Sequence, residues 1–145
     1  MSHPHIYQEL IQLLNENIVP FNLNHKNILS IANQIGDARF VLMGEASHGT
    51  KEFYDARIAL SQYLIKEKGF HAIAIEGDWP SAHQVHRYIQ GFNQNEESVL
   101  NGFQRFPSWM WRNKNIQEFI PWLRNHNNQS PENKVGFYGL DLYCL

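Results

Sequence analysis

The 145-residue chain balances 12 Lys and Arg against 14 Asp and Glu, for a formal charge of −2, and carries 43% hydrophobic and 13% aromatic residues. That is enough apolar material for one domain with a core, and without a Lys/Arg run the charge does not suit a phosphate backbone, so neither disorder nor a nucleic-acid partner is expected. No stretch approaches the roughly 20 apolar residues of a bilayer span, the start Met1-Ser2-His3-Pro4-His5 lacks a basic segment followed by an apolar one, and the single Cys144 permits no intrachain disulfide; the expectation is a cytoplasmic protein with no membrane partner.

In chain order, Ile6, Leu10, Leu13, Leu14 and Ile18 fall at helical spacing up to Pro20, and Ile28, Ile31, Ala32 and Ile35 repeat it before Gly36. Two amphipathic helices over about 6–36 are predicted. Arg39-Phe40-Val41-Leu42-Met43 then reads as an apolar strand that ends in the loop Gly44-Glu45-Ala46-Ser47-His48-Gly49. From Thr50 as N-cap, Phe53, Ala56, Leu60 and Leu64 predict a helix that Gly69 ends. Residues 70–75 read as a second buried strand, followed by Glu76-Gly77-Asp78-Trp79. Pro80 suits the first position of a helix running through Ile89 to Gly91. After a polar connection at 93–97, Ile116, Phe119, Ile120 and Leu123 predict another helix, which Pro121 should kink or whose start it should mark. Helices are therefore expected within about 80–127, and a third strand over about 134–140 with Asp141 at its end.

Strand, crossover helix and strand over about 39–76 make a β-α-β unit. The fold class is α/β, a parallel-sheet β-α-β core flanked by helices, with strands expected to be buried on both faces. In such sheets the crevice lies at the carboxyl ends of the strands, which places Glu45, His48 and Glu76 on a common cleft with Arg57 reaching back toward it.

The segments GEASHGTKEFYDAR, IAIEGDWPSAHQVHRY, RFPSWMWRN and VGFYGLDLY, in this order, resemble the erythromycin esterase family. The resemblance covers nearly everything from Phe40 to Tyr143. It implies functional roles for Glu45 and His48, for Arg57 and for Glu76, and it implies ester hydrolysis without a metal or other cofactor, on the macrolactone in macrolide-cleaving, antibiotic-resistance members. Family members are longer and carry a further catalytic histidine in a later part of the chain. The 145 residues are thus expected to be the amino-terminal part of one such domain, incomplete, poorly stable and catalytically silent alone, with an exposed sheet edge open to self-association.

The residues support the same chemistry from below. A histidine with an ordinary pKa of about 6.5 can take a proton from water near neutrality. A carboxylate, Glu45 or Glu76, can orient it and stabilise its charged form. Arg57 or the later histidine can stabilise the oxyanion of an attacked ester or lactone carbonyl. There is no GxSxG elbow, and Cys144 lacks a nucleophile's context. Trp109 and Trp111 beside Arg112, together with Asp141, are candidates to bind a small-molecule ester or lactone. Blander alternatives stand beside each: His48 as a surface loop residue, Glu45 as a helix cap, Arg57 paired with Glu52 or Asp55, Glu76 as its salt-bridge partner, the tryptophans as core, and Asp141 as a turn. His83 and His86, one turn apart, read as a solvated helix face. Two further functional readings are a metal-dependent hydrolase using Glu45, His48 and Glu76, and a non-enzymatic truncated product.

Overall fold

The computed structural model describes residues 4–18, 20–44, 46–92, 94–96 and 98–142. Among these residues, five α-helices and two strands follow one another as α1 (Pro4–Asn17), α2 (His25–Ile35), α3 (Lys51–Lys68), β1 (Ala72–Asp78), α4 (Trp79–Ile89), α5 (Lys114–Gln129) and β2 (Gly136–Asp141). Short 3-10 turns occupy Ser108–Met110 and Pro131–Asn133.

The helices begin and end where local chemistry dictates. The Asn24 side chain accepts the Asn27 N–H at the start of α2, and the Asn113 side chain accepts the Ile116 N–H at the start of α5. Gly69 closes α3 in a left-handed conformation. Pro121 lies inside α5 and does not mark its start. The Asn113 cap fixes that start, and burial of Ile116, Phe119, Ile120 and Leu123 on both sides of the proline holds the helix across the missing hydrogen bond.

β1 and β2 pair in parallel, Ala72 with Gly136 through Ile75 with Gly139. The crossover joining them runs through α4 and α5, so the β-α-β unit of this chain lies at 72–141. The expected strand at 39–43 is corrected: among the described residues no ladder includes 40–44. An apolar run reports on side chains, whereas a ladder needs two backbones about 4.7–4.9 Å apart. Here Val41, Met43 and Gly44 line a cavity of about 200 Å³ together with Ile73, Ala74, Ile75 and Glu76 of β1. Within the segment Val41 and Met43 are half-buried, while Phe40 and Leu42 are 80% and 92% exposed.

The main core collects Ile75, Val85, Ile89, Phe103, Ile120, Leu123, Val135 and Phe137 from both strands, α4, α5 and the irregular 98–113 segment. A second cluster joins α2 to α3 through Ile28, Ala32, Leu60 and Leu64. The sheet is not buried on both faces as expected, because Tyr138 and Leu140 are 51% and 66% exposed. The apolar stripe of α1 is likewise open, with Ile6, Leu10, Leu13 and Leu14 all exposed.

One irregularity shapes the functional end of the sheet. Between Ile75 and Asp78, β1 advances three residues while β2 advances two, from Gly139 to Asp141. The extra residue makes a β-bulge at Glu76-Gly77, a device that re-aims a side chain at the end of a strand. Gly139 makes it possible: a Cβ there would lie 2.8 Å from the Asp78 carbonyl carbon and would strike the Gly77 carbonyl oxygen.

Candidate active site

A cleft of about 340 Å³ opens at the carboxyl end of β1. Glu76 and Asp78 enter it from the bulged strand end, Asp141 from the end of β2, and His48 from the exposed turn before α3. The segment 102–108 forms the opposite wall, with Arg105, Phe106 and Pro107, and Ser81 comes from the first turn of α4. Three ionisable groups named from the sequence, His48, Glu76 and Asp141, therefore share one rim; the strand-end rule accounts for Glu76 and Asp141, while His48 reaches it from a turn that, among the described residues, follows no strand.

Glu45 lies outside the described residues. Arg57 faces the second cavity rather than the first, in company with Gly44, Tyr54 and Glu76. Its guanidinium carbon sits 4.9 Å from the centre of the Tyr54 ring. Glu76 lines both the His48 cleft and the Arg57 cavity, as does Met110. Trp111 also lines both, whereas Trp109 and Arg112 line neither. Lys51, not Arg57, takes Asp55 as its ion-pair partner.

Trp111 makes a specific polar contact. Its indole Nε1 donates to the Glu76 carbonyl at 2.7 Å, at the position where the bulge interrupts the pairing of β1 with β2. Trp109 instead lies against the His48 turn: a Cβ on Gly49 would be 2.9 Å from its Cζ3 atom. Gly49 has φ +82°, a left-handed conformation, so both backbone geometry and space call for glycine beside His48. Between the two tryptophans, the Met110 carbonyl accepts the Tyr54 hydroxyl at 2.8 Å.

Asp78, Ser81 and Arg105 are cleft residues that the sequence reading passed over. Arg105 Nε lies 3.1 Å from Asp78 Oδ2, and the Ser81 hydroxyl donates to the Gly102 carbonyl at 2.9 Å. Asp78 had a signal, since it follows Glu76 at the same strand end. Arg105 had none, because it comes from an irregular segment whose position against β1 is set by the burial of Val99, Leu100 and Phe103. Among the described residues, no group of three or more His, Cys, Asp and Glu is placed to hold a metal ion, and no helix is long and apolar enough to cross a membrane.

Residues 65–145 match the sequence profile of the family described as Erythromycin esterase. The erythromycin esterase type II of Escherichia coli is 30% identical over 129 residues, which are 86% of this chain and 29% of that protein. A crystal structure described as a succinoglycan biosynthesis protein superposes with a TM-score of 0.78 at 24% identity, over 97% of this chain and 36% of the other. A Bacillus cereus protein of known structure gives 0.72 at 24% identity, over 92% and 33% respectively. These two likenesses show the same fold, and the chain spans about a third of the length of each protein it matches. The mixed α/β fold with its parallel strand pair, the strand-end cleft and the profile match agree: this chain belongs to the erythromycin esterase family.

Proposed function

We propose that the chain carries the water-activating part of an ester-hydrolysing site that works in the cytoplasm on a small-molecule ester or lactone, without a metal. His48 is the general base, which takes a proton from water as the water attacks the carbonyl carbon. Glu76 is its acidic partner and stabilises the imidazolium that forms. Glu45 remains the second carboxylate of this reading. Arg57, across Glu76, supplies positive charge that lowers the cost of negative charge developing beside it. Trp111 and Asp141, which line the cleft, are the groups in reach of substrate.

The observation that carries this reading is the meeting of His48 and Glu76 in one cleft, from elements 28 residues apart in sequence. Family membership supports the reaction type, and the relative from E. coli supports macrolactones as a substrate class to test.

The test is a chimera in which residues 1–145 replace the matching segment of the E. coli erythromycin esterase type II, assayed on a macrolactone and on simple esters. His48→Gln and Glu76→Gln should each lower turnover, the first by roughly 10² or more because it removes a general base. Undiminished turnover in His48→Gln would overturn the assignment.

A further inference from the structure

We propose that Trp109, Met110 and Trp111 form a positioning clamp that fixes the His48 turn and the Glu76 end of β1 relative to each other, an inference that rests on reading His48 and Glu76 as the reacting pair. The three consecutive residues grip three different parts of the molecule. The Trp109 ring backs Gly49, the residue after His48. The Met110 carbonyl is tied to α3 by the buried Tyr54 hydroxyl at 2.8 Å, and the Asn113 side chain donates to the same carbonyl at 3.0 Å. Trp111 donates its indole N–H to the Glu76 carbonyl at 2.7 Å.

Each half of the site needs such a support. The His48 turn is exposed, and the residue on its α3 side is a glycine in a left-handed conformation. The strand end is interrupted by the bulge, which takes Glu76 and Gly77 out of the register pairs with β2. The indole N–H gives the Glu76 carbonyl a fixed partner at that gap. A general base and its carboxylate must be held within about 0.5 Å of productive geometry. A three-residue segment anchored on α3 can impose this on both at once. Trp111 is therefore a positioning residue as well as a lining residue, and Trp109 acts through the turn it backs.

The contacts also explain why two glycines flank the clamp. A Cβ on Gly49 would be forced into the Trp109 ring, and a Cβ on Gly77 would lie 3.2 Å from Trp111 Nε1. Trp111 also packs on the Phe103 ring, 6.4 Å between centroids, so its indole is seated against the core while its N–H holds the Glu76 main chain.

The test uses the full chain with uniform nitrogen-15 labelling and two variants. Trp111→Phe keeps an aromatic ring and removes the donor, and Trp109→Ala removes the ring behind Gly49. Backbone order parameters should fall at 76–78 in the first variant and at 47–50 in the second, with Trp111→Phe still unfolding in one cooperative transition. In the chimera described above, Trp111→Phe, which keeps an aromatic ring on the cleft wall, should lower kcat about tenfold and change KM less than kcat, the signature of lost positioning more than lost binding. Unchanged order parameters at 76–78 in folded Trp111→Phe would overturn the clamp, whatever happens to Trp109→Ala. A fall at 76–78 with kcat unaltered, in a chimera that still depends on His48, would overturn its part in the reaction. Turnover indifferent to His48→Gln would instead remove the functional reading on which the clamp depends.

Discussion

Asn127 pairs with the backbone of Val135 as a neighbouring strand would: its Nδ2 donates to the Val135 carbonyl at 3.0 Å, and its Oδ1 accepts the Val135 N–H at 2.7 Å. The same Nδ2 donates to the Ile89 carbonyl at 3.1 Å, and the side chain has no exposed surface. One buried amide thus ties α5 to the end of α4 and to the residue that leads into β2.

Replacing it should be costly. Asn127→Leu conserves bulk but leaves the Val135 N–H and the Ile89 carbonyl buried without this partner, which should destabilise the chain by roughly 2–4 kcal/mol. Urea unfolding of Asn127→Leu beside the exposed neighbour Asn128→Leu checks this. Equal midpoints would show that the amide is dispensable.

Gly139 offers a test of the bulge. A Cβ placed against the Asp78 carbonyl carbon meets backbone, which cannot swing aside. Gly139→Ala should therefore destabilise by about 1–3 kcal/mol, as overpacking does. Gly44→Ala, where a Cβ meets nothing within 4 Å, should be neutral or slightly stabilising. Thermal unfolding of the two variants gives the comparison, and similar behaviour would mean that the strands separate freely at the bulge.

His86 should make stability depend on pH. Burial first, and then the charge of His83 stacked 6.0 Å away, hold its imidazole below the ordinary histidine pKa. Its Nδ1 accepts the Phe137 N–H at 3.3 Å, and the Tyr138 ring lies 5.4 Å from it. Protonation removes that acceptor. As pH falls below about 6.5, the unfolded chain binds the proton before the folded one does. Stability contributed by neutral His86 is present above that pH and is lost as pH falls toward the lowered folded value. His86→Asn retains an acceptor that does not titrate, so its unfolding midpoint should fall less than that of the parent between pH 7.5 and pH 5. Parallel pH profiles would remove His86 as a cause.

Arg57 is held over the Tyr54 ring by a planar group that lysine lacks. In the chimera, Arg57→Lys should keep the charge and still lower turnover by roughly tenfold to a hundredfold, as expected for loss of charge-assisted hydrogen bonding in a fixed geometry. A silent substitution would make any oriented role for the guanidinium untenable.

Periodicity and caps are local, and what depended on them was legible without coordinates. The spacing of Phe53, Ala56, Leu60 and Leu64 with Gly69 after them is α3, the apolar run ending at Glu76 is β1, and the run from Val135 to Leu140 is β2. The strand-end rule then brought Glu76 and Asp141 to one cleft, because parallel pairing aligns the carboxyl ends of both strands, whereas His48 reaches it from the turn before α3 and not from a strand. The run at 40–43 has the same composition as a strand, yet its pairing depends on how close another backbone comes, and it shares the lining of a cavity with β1 rather than a ladder. The bulge was equally hidden, since an extra residue in β1 has meaning only against Gly139 across the sheet. Arg105 meets Asp78 and Trp111 meets the Glu76 carbonyl through contacts spanning 27 and 35 residues, made by a segment without periodicity. Sequence by itself determined the helices, the segments that become β1 and β2, and the ionisable residues at their ends. Only tertiary packing decided which backbones form the ladder and which side chains hold the site in place, because both are set by distances between segments that no local pattern encodes.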